Sequence, residues 1–163
     1  MKNAVLFLYE MRSQIKNNKM NQIEDKIALK ELVDRYAIYG DQRKMNQQAA
    51  LFSESCTVEL YSGEQLTATL RGRLEVENTF TAFLKNFVGA YHFNGQQVTV
   101  INDNTATGIA YCTVTLISIE NDKTIKTTIG MHYHDQYVKV NNQWFIDKRQ
   151  SYFGWQDRHE LGQ

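Results

Sequence analysis

Three Asn/Asp clusters cut the second half of this 163-residue chain into four long runs, and nothing constrains its fold more. Asn102-Asp103-Asn104, Asn121-Asp122 and Asn141-Asn142 separate segments 91–101, 106–119, 124–140 and 143–153, in which the pattern is β throughout. Proline is absent, so turns fall to Gly, Asn, Asp and Ser. The pattern predicts a meander of four long antiparallel strands.

Upstream the periodicity is helical. Leu29, Leu32, Val33 and Tyr36 form an apolar stripe in a helix from about Asn21 to Gly40, with Lys30, Glu31, Asp34 and Arg35 on the wet side. Gly40 reads as its stop, since glycine tolerates the left-handed conformation that ends helices. A short second helix follows with Met45, Ala49 and Phe52 inward. A third spans about Arg73–Phe87, with Val76, Phe80, Phe83, Leu84 and Phe87 inward. Between them, Thr57–Tyr61 and Gln65–Leu70 read as a hairpin joined through Ser62-Gly63. Residues 1–20 read as a weakly organised arm, with Met20 an alternative start, ahead of one domain over 21–163. The fold class expected is α+β, with three helices on one face of a strongly curved antiparallel sheet.

Lys+Arg and Asp+Glu both total 18, so there is no basic field to draw the chain to nucleic acid or an anionic membrane. Zero net charge permits self-association, and a homodimer is the expected assembly. Cys56 and Cys112 make no disulfide framework; buried free thiols and a cytoplasmic location fit them. No segment approaches the ~20 apolar residues that span a bilayer. Standard metal-ligand spacing is limited to His132-x-His134, and no Gly-rich phosphate loop is present, so neither metal nor cofactor is expected. Strand parity also removes that histidine pair from any pocket. In 127–137 the odd positions are mostly apolar or amphipathic and are assigned to the helix-covered side. His132 and His134 then fall on the outer face, at a dimer contact.

His92 sits in Tyr91-His92-Phe93-Asn94-Gly95, where a helical segment gives way to a strand, and Asp41 follows the end of the first helix. Folded as these patterns predict, the two side chains meet inside a pocket. A carboxylate holding an imidazole is a general base near neutral pH. Two plainer readings stand beside this one. Asp41 is also suited to N-cap the second helix, and Arg149 has Asp147 two residues away as a partner.

Three stretches give the chain a family resemblance over roughly residues 22–155. They are Tyr36-Ala-Ile-Tyr-Gly-Asp41-Gln-Arg-Lys-Met-Asn continuing to Ala50-Leu51-Phe52, the Tyr91–Gly95 run, and Tyr137-Val-Lys-Val-Asn-Asn-Gln-Trp144-Phe-Ile-Asp-Lys-Arg149. In order and spacing these resemble the SnoaL-like branch of the nuclear transport factor 2-like superfamily, whose members include polyketide cyclases, scytalone dehydratase and hexachlorocyclohexane dehydrochlorinase. The resemblance implies a cone-shaped fold, Asp41 and His92 as a catalytic dyad, and Arg149 as a pocket arginine. Tyr36, Val58, Leu60, Cys112, Val114, Met131 and Tyr133 are expected to line the pocket with Arg149. The chain also departs from individual members. Gly40 and Leu60 stand where scytalone dehydratase has pocket tyrosines, and Cys112–Leu116 offers no second histidine, so scytalone is not the expected substrate. The dehydrochlorinase differs at the Tyr36 position, so halogenated-substrate chemistry is not implied. The expected function is a cofactor-independent lyase or isomerase, dehydratase- or cyclase-like, acting on a small hydrophobic, cyclic molecule. In it Arg149 and the Tyr36 hydroxyl would stabilise the leaving group or a developing enolate. The alternative is a noncatalytic small-ligand-binding or dimerisation module on the same fold.

Overall fold

A computed structural model describes the chain from residue 2 to residue 162, with side chains from residue 20 onward. In chain order the elements are α1 (Lys2–Asp41), α2 (Met45–Ala49), β1 (Phe52–Ser62), β2 (Gln65–Arg71), α3 (Arg73–Leu84), β3 (Gly89–Asn102), β4 (Thr105–Glu120), β5 (Lys123–Val140) and β6 (Gln143–Glu160). The arm expected over 1–20 therefore falls almost wholly within the bounds of α1, which begins well before Asn21. No described helix is long and apolar enough to cross a membrane.

The six strands form one sheet in the order β2-β1-β6-β5-β4-β3. Four strand pairs are antiparallel, but β1 lies parallel to β6, so the sheet is mixed and not the purely antiparallel one expected. The cause is topological. The chain leaves β2 at one edge, crosses over in α3, and starts β3 at the opposite edge, so the meander returns to β1 from the far side. The turn residues behave as their types dictate. Glu120 pairs with Lys123 and Val140 with Gln143, leaving two-residue loops. Asn121 (φ 50°), Asp122 (63°), Asn141 (49°) and Asn142 (65°) are all left-handed, the signature of type I′ hairpins.

Register shifts at Leu60/Tyr61, Asn94/Gln97, Gly130/Met131 and Gln136/Tyr137 bend the strands, and the helices fill the concave side. Leu29, Leu32, Val33 and Tyr36 of α1 pack there against Val114, Leu116, Ile129, Tyr133 and Tyr137. Asn94 ties α1 to β3 by donating to the Val33 carbonyl (3.2 Å) and the Asp34 carboxylate (3.0 Å). Asp25 accepts from both Lys139 (2.6 Å) and the Trp144 indole (2.8 Å), which fixes α1 to the β5–β6 end of the sheet.

On β5 the odd positions Thr127 through Tyr137 are buried. His132 and His134 lie on the outer face, where His132 stacks on Tyr111 (5.4 Å) and Tyr152 (5.0 Å). Burial and the neighbouring His134 hold the His132 pKa below its ordinary value. Phe52 is not on α2; it is the fully buried first residue of β1. β6 runs on to Glu160, so Tyr152–Trp155 is part of the strand. Met131 pairs with Phe153 and Gly130 with Trp155, which makes Gly154 a bulge that turns Phe153 and Trp155 to opposite faces. The Trp155 indole lies over Gly130, where a Cβ would come within 2.1 Å of Nε1.

Candidate active site

Asp41 ends α1 beside β3, which is an edge strand, so the outward N–H of His92 has no neighbouring strand to bond. The Asp41 carboxylate takes that donor instead, at 3.1 and 3.0 Å for its two oxygens. The same carboxylate meets the imidazole, Nδ1 to Oδ1 at 2.6 Å. A carboxylate only accepts, so this contact places the proton on Nδ1 and leaves Nε2 as the basic nitrogen. Asp41 does not cap α2, whose N-cap residue is Lys44 with no side-chain cap bond.

Gly40 has a role other than the one its position in the sequence suggests. Its backbone is helical, and the left-handed residue of this turn is Arg43 (φ 56°). The Arg43 guanidinium donates to the Leu84 carbonyl (2.8 Å) and to that of Phe87, which clamps the end of α3 over the site. What Gly40 provides is space. A Cβ there would stand 2.8 Å from Gln48 Nε2 and 3.5 Å from His92 Cε1. Gly40→Ala should therefore shift the Gln48 amide with little loss of stability, because alanine favours a helix interior by about 1 kcal/mol over glycine. A melting temperature within a few degrees of wild type, combined with weakened ligand binding, is the expected result.

His92 opens onto a cavity of about 160 Å³. Its walls are largely apolar: Leu60, Phe80, Phe83, Leu84, Val114, Leu116, Ile129, Met131 and Phe153. Polar groups enter from Tyr36, Gln48, Thr79, Tyr133 and Ser151. The described lining includes no Asp, Glu, Lys or Arg. Of the residues expected in the pocket, Tyr36, Leu60, Val114, Met131 and Tyr133 line it; Val58, Cys112 and Arg149 do not. Val58 is fully buried core. Cys112 is buried behind the wall, and burial pushes its thiol up to about 11 against the opposing pull of Tyr133 and Arg149, so it stays neutral. Cys56 is also a free, buried thiol.

Arg149 is sealed off completely. Its partner is Asp135, directly opposite on β5, through Nε at 2.8 Å and Nη2 at 2.7 Å. Asp147 bonds Ser53 instead, at 2.6 Å. Tyr137 donates a third hydrogen bond to Asp135 at 2.8 Å. Burial opposes the charge on Arg149, but the attraction and hydrogen bonds of Asp135 outweigh it and hold the pKa above its usual value. The guanidinium lies 4.3 Å from the Tyr36 ring centre and 4.0 Å from that of Tyr133. Its influence on the cavity passes through those two rings. Burial raises the pKa of both phenols although Arg149 pulls them down, so both remain protonated donors.

Sequence reasoning missed Gln48, Ser151 and the α3 wall of Thr79, Phe80, Phe83 and Leu84 as cavity residues. It also missed Asp135 as the partner of Arg149. For Gln48 a signal was present: it sits three residues after Met45 and one before Ala49, on the inward side of α2, and all three are buried.

A helix-covered, curved mixed sheet with an acid–imidazole pair opening onto an apolar cavity defines the class. Residues 21–150 match the SnoaL-like domain, and the chain belongs to that family. No curated protein matches it by sequence. Solved structures share its fold at low identity. A scytalone dehydratase candidate from Novosphingobium aromaticivorans superposes with a TM-score of 0.73 at 20% identity, covering 89% of this chain and 93% of that one. A type 2 hexachlorocyclohexane dehydrochlorinase gives 0.72 at 15% identity, with 88% and 93% covered. The type 3 enzyme from Novosphingobium barchaimii gives 0.75 at 12% identity, with 86% and 94% covered.

Proposed function

We propose that the protein is a cofactor-independent lyase or isomerase in which His92 removes a carbon-bound proton from a small, neutral, hydrophobic, cyclic substrate. The observation that carries this reading is the 2.6 Å contact between Asp41 and His92 Nδ1, on an imidazole that lines the cavity. Nε2 takes the proton, and the C–H electron pair becomes the new double bond or an enolate. In an elimination the leaving group departs from the neighbouring carbon. Where it is hydroxide, the imidazolium returns its proton and water leaves, so the dyad ends as it began. Return of the proton to a different carbon gives isomerisation. Arg149 does not line the cavity, so the donors available to an oxyanion are the hydroxyls of Tyr36, Thr79 and Ser151, while that of Tyr133 donates to Met131 Sδ at 3.7 Å. The named structural neighbours, a dehydratase candidate and dehydrochlorinases, support the same reaction class.

The sealed guanidinium favours a second reading, a noncatalytic binder of the same ligand, since no cation meets developing charge. Proton exchange separates the two. Cyclic β-hydroxy ketones, beginning with 3-hydroxy-1-indanone, are incubated in D2O and followed by NMR for exchange at the carbon next to the carbonyl and for loss of water. Wild-type protein should accelerate both, and His92→Gln should return them to the buffer rate. Equal rates with the two proteins would sink the lyase reading.

A further inference from the structure

We infer that Gln48 is the residue that selects a hydroxyl-bearing substrate over its halogenated counterpart. The inference rests on the cavity beside His92 being the substrate site. Gln48 is 4% exposed and lines that cavity. Its Nε2 donates to the Tyr36 backbone carbonyl at 2.8 Å, and only the nitrogen end of the amide can do so. The amide is thus locked with Oε1 in a known role, and among the described residues no donor reaches that oxygen. Oε1 keeps some accessible surface on a residue that lines the cavity, so a ligand that covers it must supply a donor or leave it unpaired at a cost in free energy.

Position makes the missing donor specific. Gln48 Nε2 and His92 Cε1 both lie within 3.5 Å of the point above Gly40 where a Cβ would stand, so the amide and the base flank the same end of the cavity. A substrate that places a C–H against His92 Nε2 brings the substituent on its neighbouring carbon toward Gln48. A hydroxyl there donates to Oε1; a chloride cannot. The contact also strengthens along the reaction, because an oxygen that gains a proton as it departs becomes a better donor. A site built to bond a substrate O–H discriminates strongly against an analogue lacking it, since its own polar group is then left unpaired. Ser151, 3% exposed, also lines the cavity and offers a hydroxyl donor from β6.

The test uses 2-indanol and 2-chloroindane, which are neutral, similar in size and carry no acidic C–H, so binding is read without turnover. Dissociation constants are measured by NMR titration. Wild type should bind 2-indanol about tenfold more tightly than 2-chloroindane, the scale of one buried hydrogen bond. Gln48→Leu should lose that preference by weakening 2-indanol alone, with 2-chloroindane changed less than about twofold. Gln48→Met serves the same purpose with a more flexible side chain if the leucine variant does not fold. Equal affinities in wild type overturn the inference, as does absence of measurable 2-indanol binding. A preference that survives in both Gln48 variants and vanishes in His92→Gln also overturns it, assigning the hydroxyl to the base while the dyad stands. A preference that depends on Gln48 in a protein that fails the exchange assay keeps the inference and removes the lyase reading.

Discussion

Arg149→Met should destabilise the protein by roughly 3–5 kcal/mol, the typical cost of removing one partner of a buried ion pair. Asp135 and Arg149 both have side chains with no solvent exposure. Taking away the guanidinium leaves the carboxylate with one hydrogen bond, from Tyr137, and no counter-charge. For a chain of this size the melting temperature should fall by about 6–20 °C. Asp135→Leu should cost a similar amount, since it strands the guanidinium between the Tyr36 and Tyr133 rings. The double variant is the informative one. Replacing a whole buried pair by apolar side chains is often close to neutral, so Asp135→Leu with Arg149→Met should recover most of the loss. Denaturant melts of the four proteins give the coupling. Additive losses would show that the pair is not one electrostatic unit.

That pair also marks where strand alternation misleads. Two residues apart on one strand normally means one face, which makes Asp147 the natural partner for Arg149. In β6, however, Ile146 pairs with Tyr137 and Lys148 with Gln136, so Asp147 is an extra residue. The bulge advances the alternation by one: Trp144 and Ile146 are buried before it, Arg149 and Ser151 after it. Arg149 thereby comes into phase with Asp135 rather than Asp147. The same effect separates Phe153 from Trp155 at Gly154. Bulges carry no strong composition signal, so they were not legible. The meander was legible, because Asn and Asp at its turns have few other roles, and so was β5, where no bulge interrupts 131–136. Cavity residues were legible by face but not by depth. Val58 and Leu60 share a face, as do Cys112 and Val114, yet only Leu60 and Val114 reach the open space. Asp41 and His92 come into contact as expected, Asp41 closing α1 and His92 lying just inside the start of β3. Gln48 was not legible, because a polar side chain on a five-residue helix does not read as inward, although Met45 and Ala49 mark its face.

Asp41→Asn should lower turnover by roughly 10²–10⁴-fold while leaving the fold intact, and the reason is the position of one proton. Asn has the same shape, so its carbonyl oxygen can still accept from the His92 backbone N–H that Asp41 now binds at 3.0 and 3.1 Å. Its amide nitrogen then faces His92 Nδ1, where a carboxylate oxygen sits at 2.6 Å. An amide N–H donates where the carboxylate accepted, so Nδ1 must surrender its proton and Nε2 must carry it. The nitrogen facing the substrate is then a donor and no longer a base. Loss of the negative charge removes the second contribution, the stabilisation of imidazolium as the proton transfers. Asp41→Ala should cost about as much turnover but also some stability, since the edge-strand N–H loses its acceptor. In the double variant with His92→Gln, the losses should not add, because the carboxylate acts through the imidazole. Single-turnover rates with the hydroxy ketone, set beside thermal melts, separate the cases. Asp41→Asn with wild-type rates would mean that the 2.6 Å contact fixes the end of α1 to β3 and does nothing more.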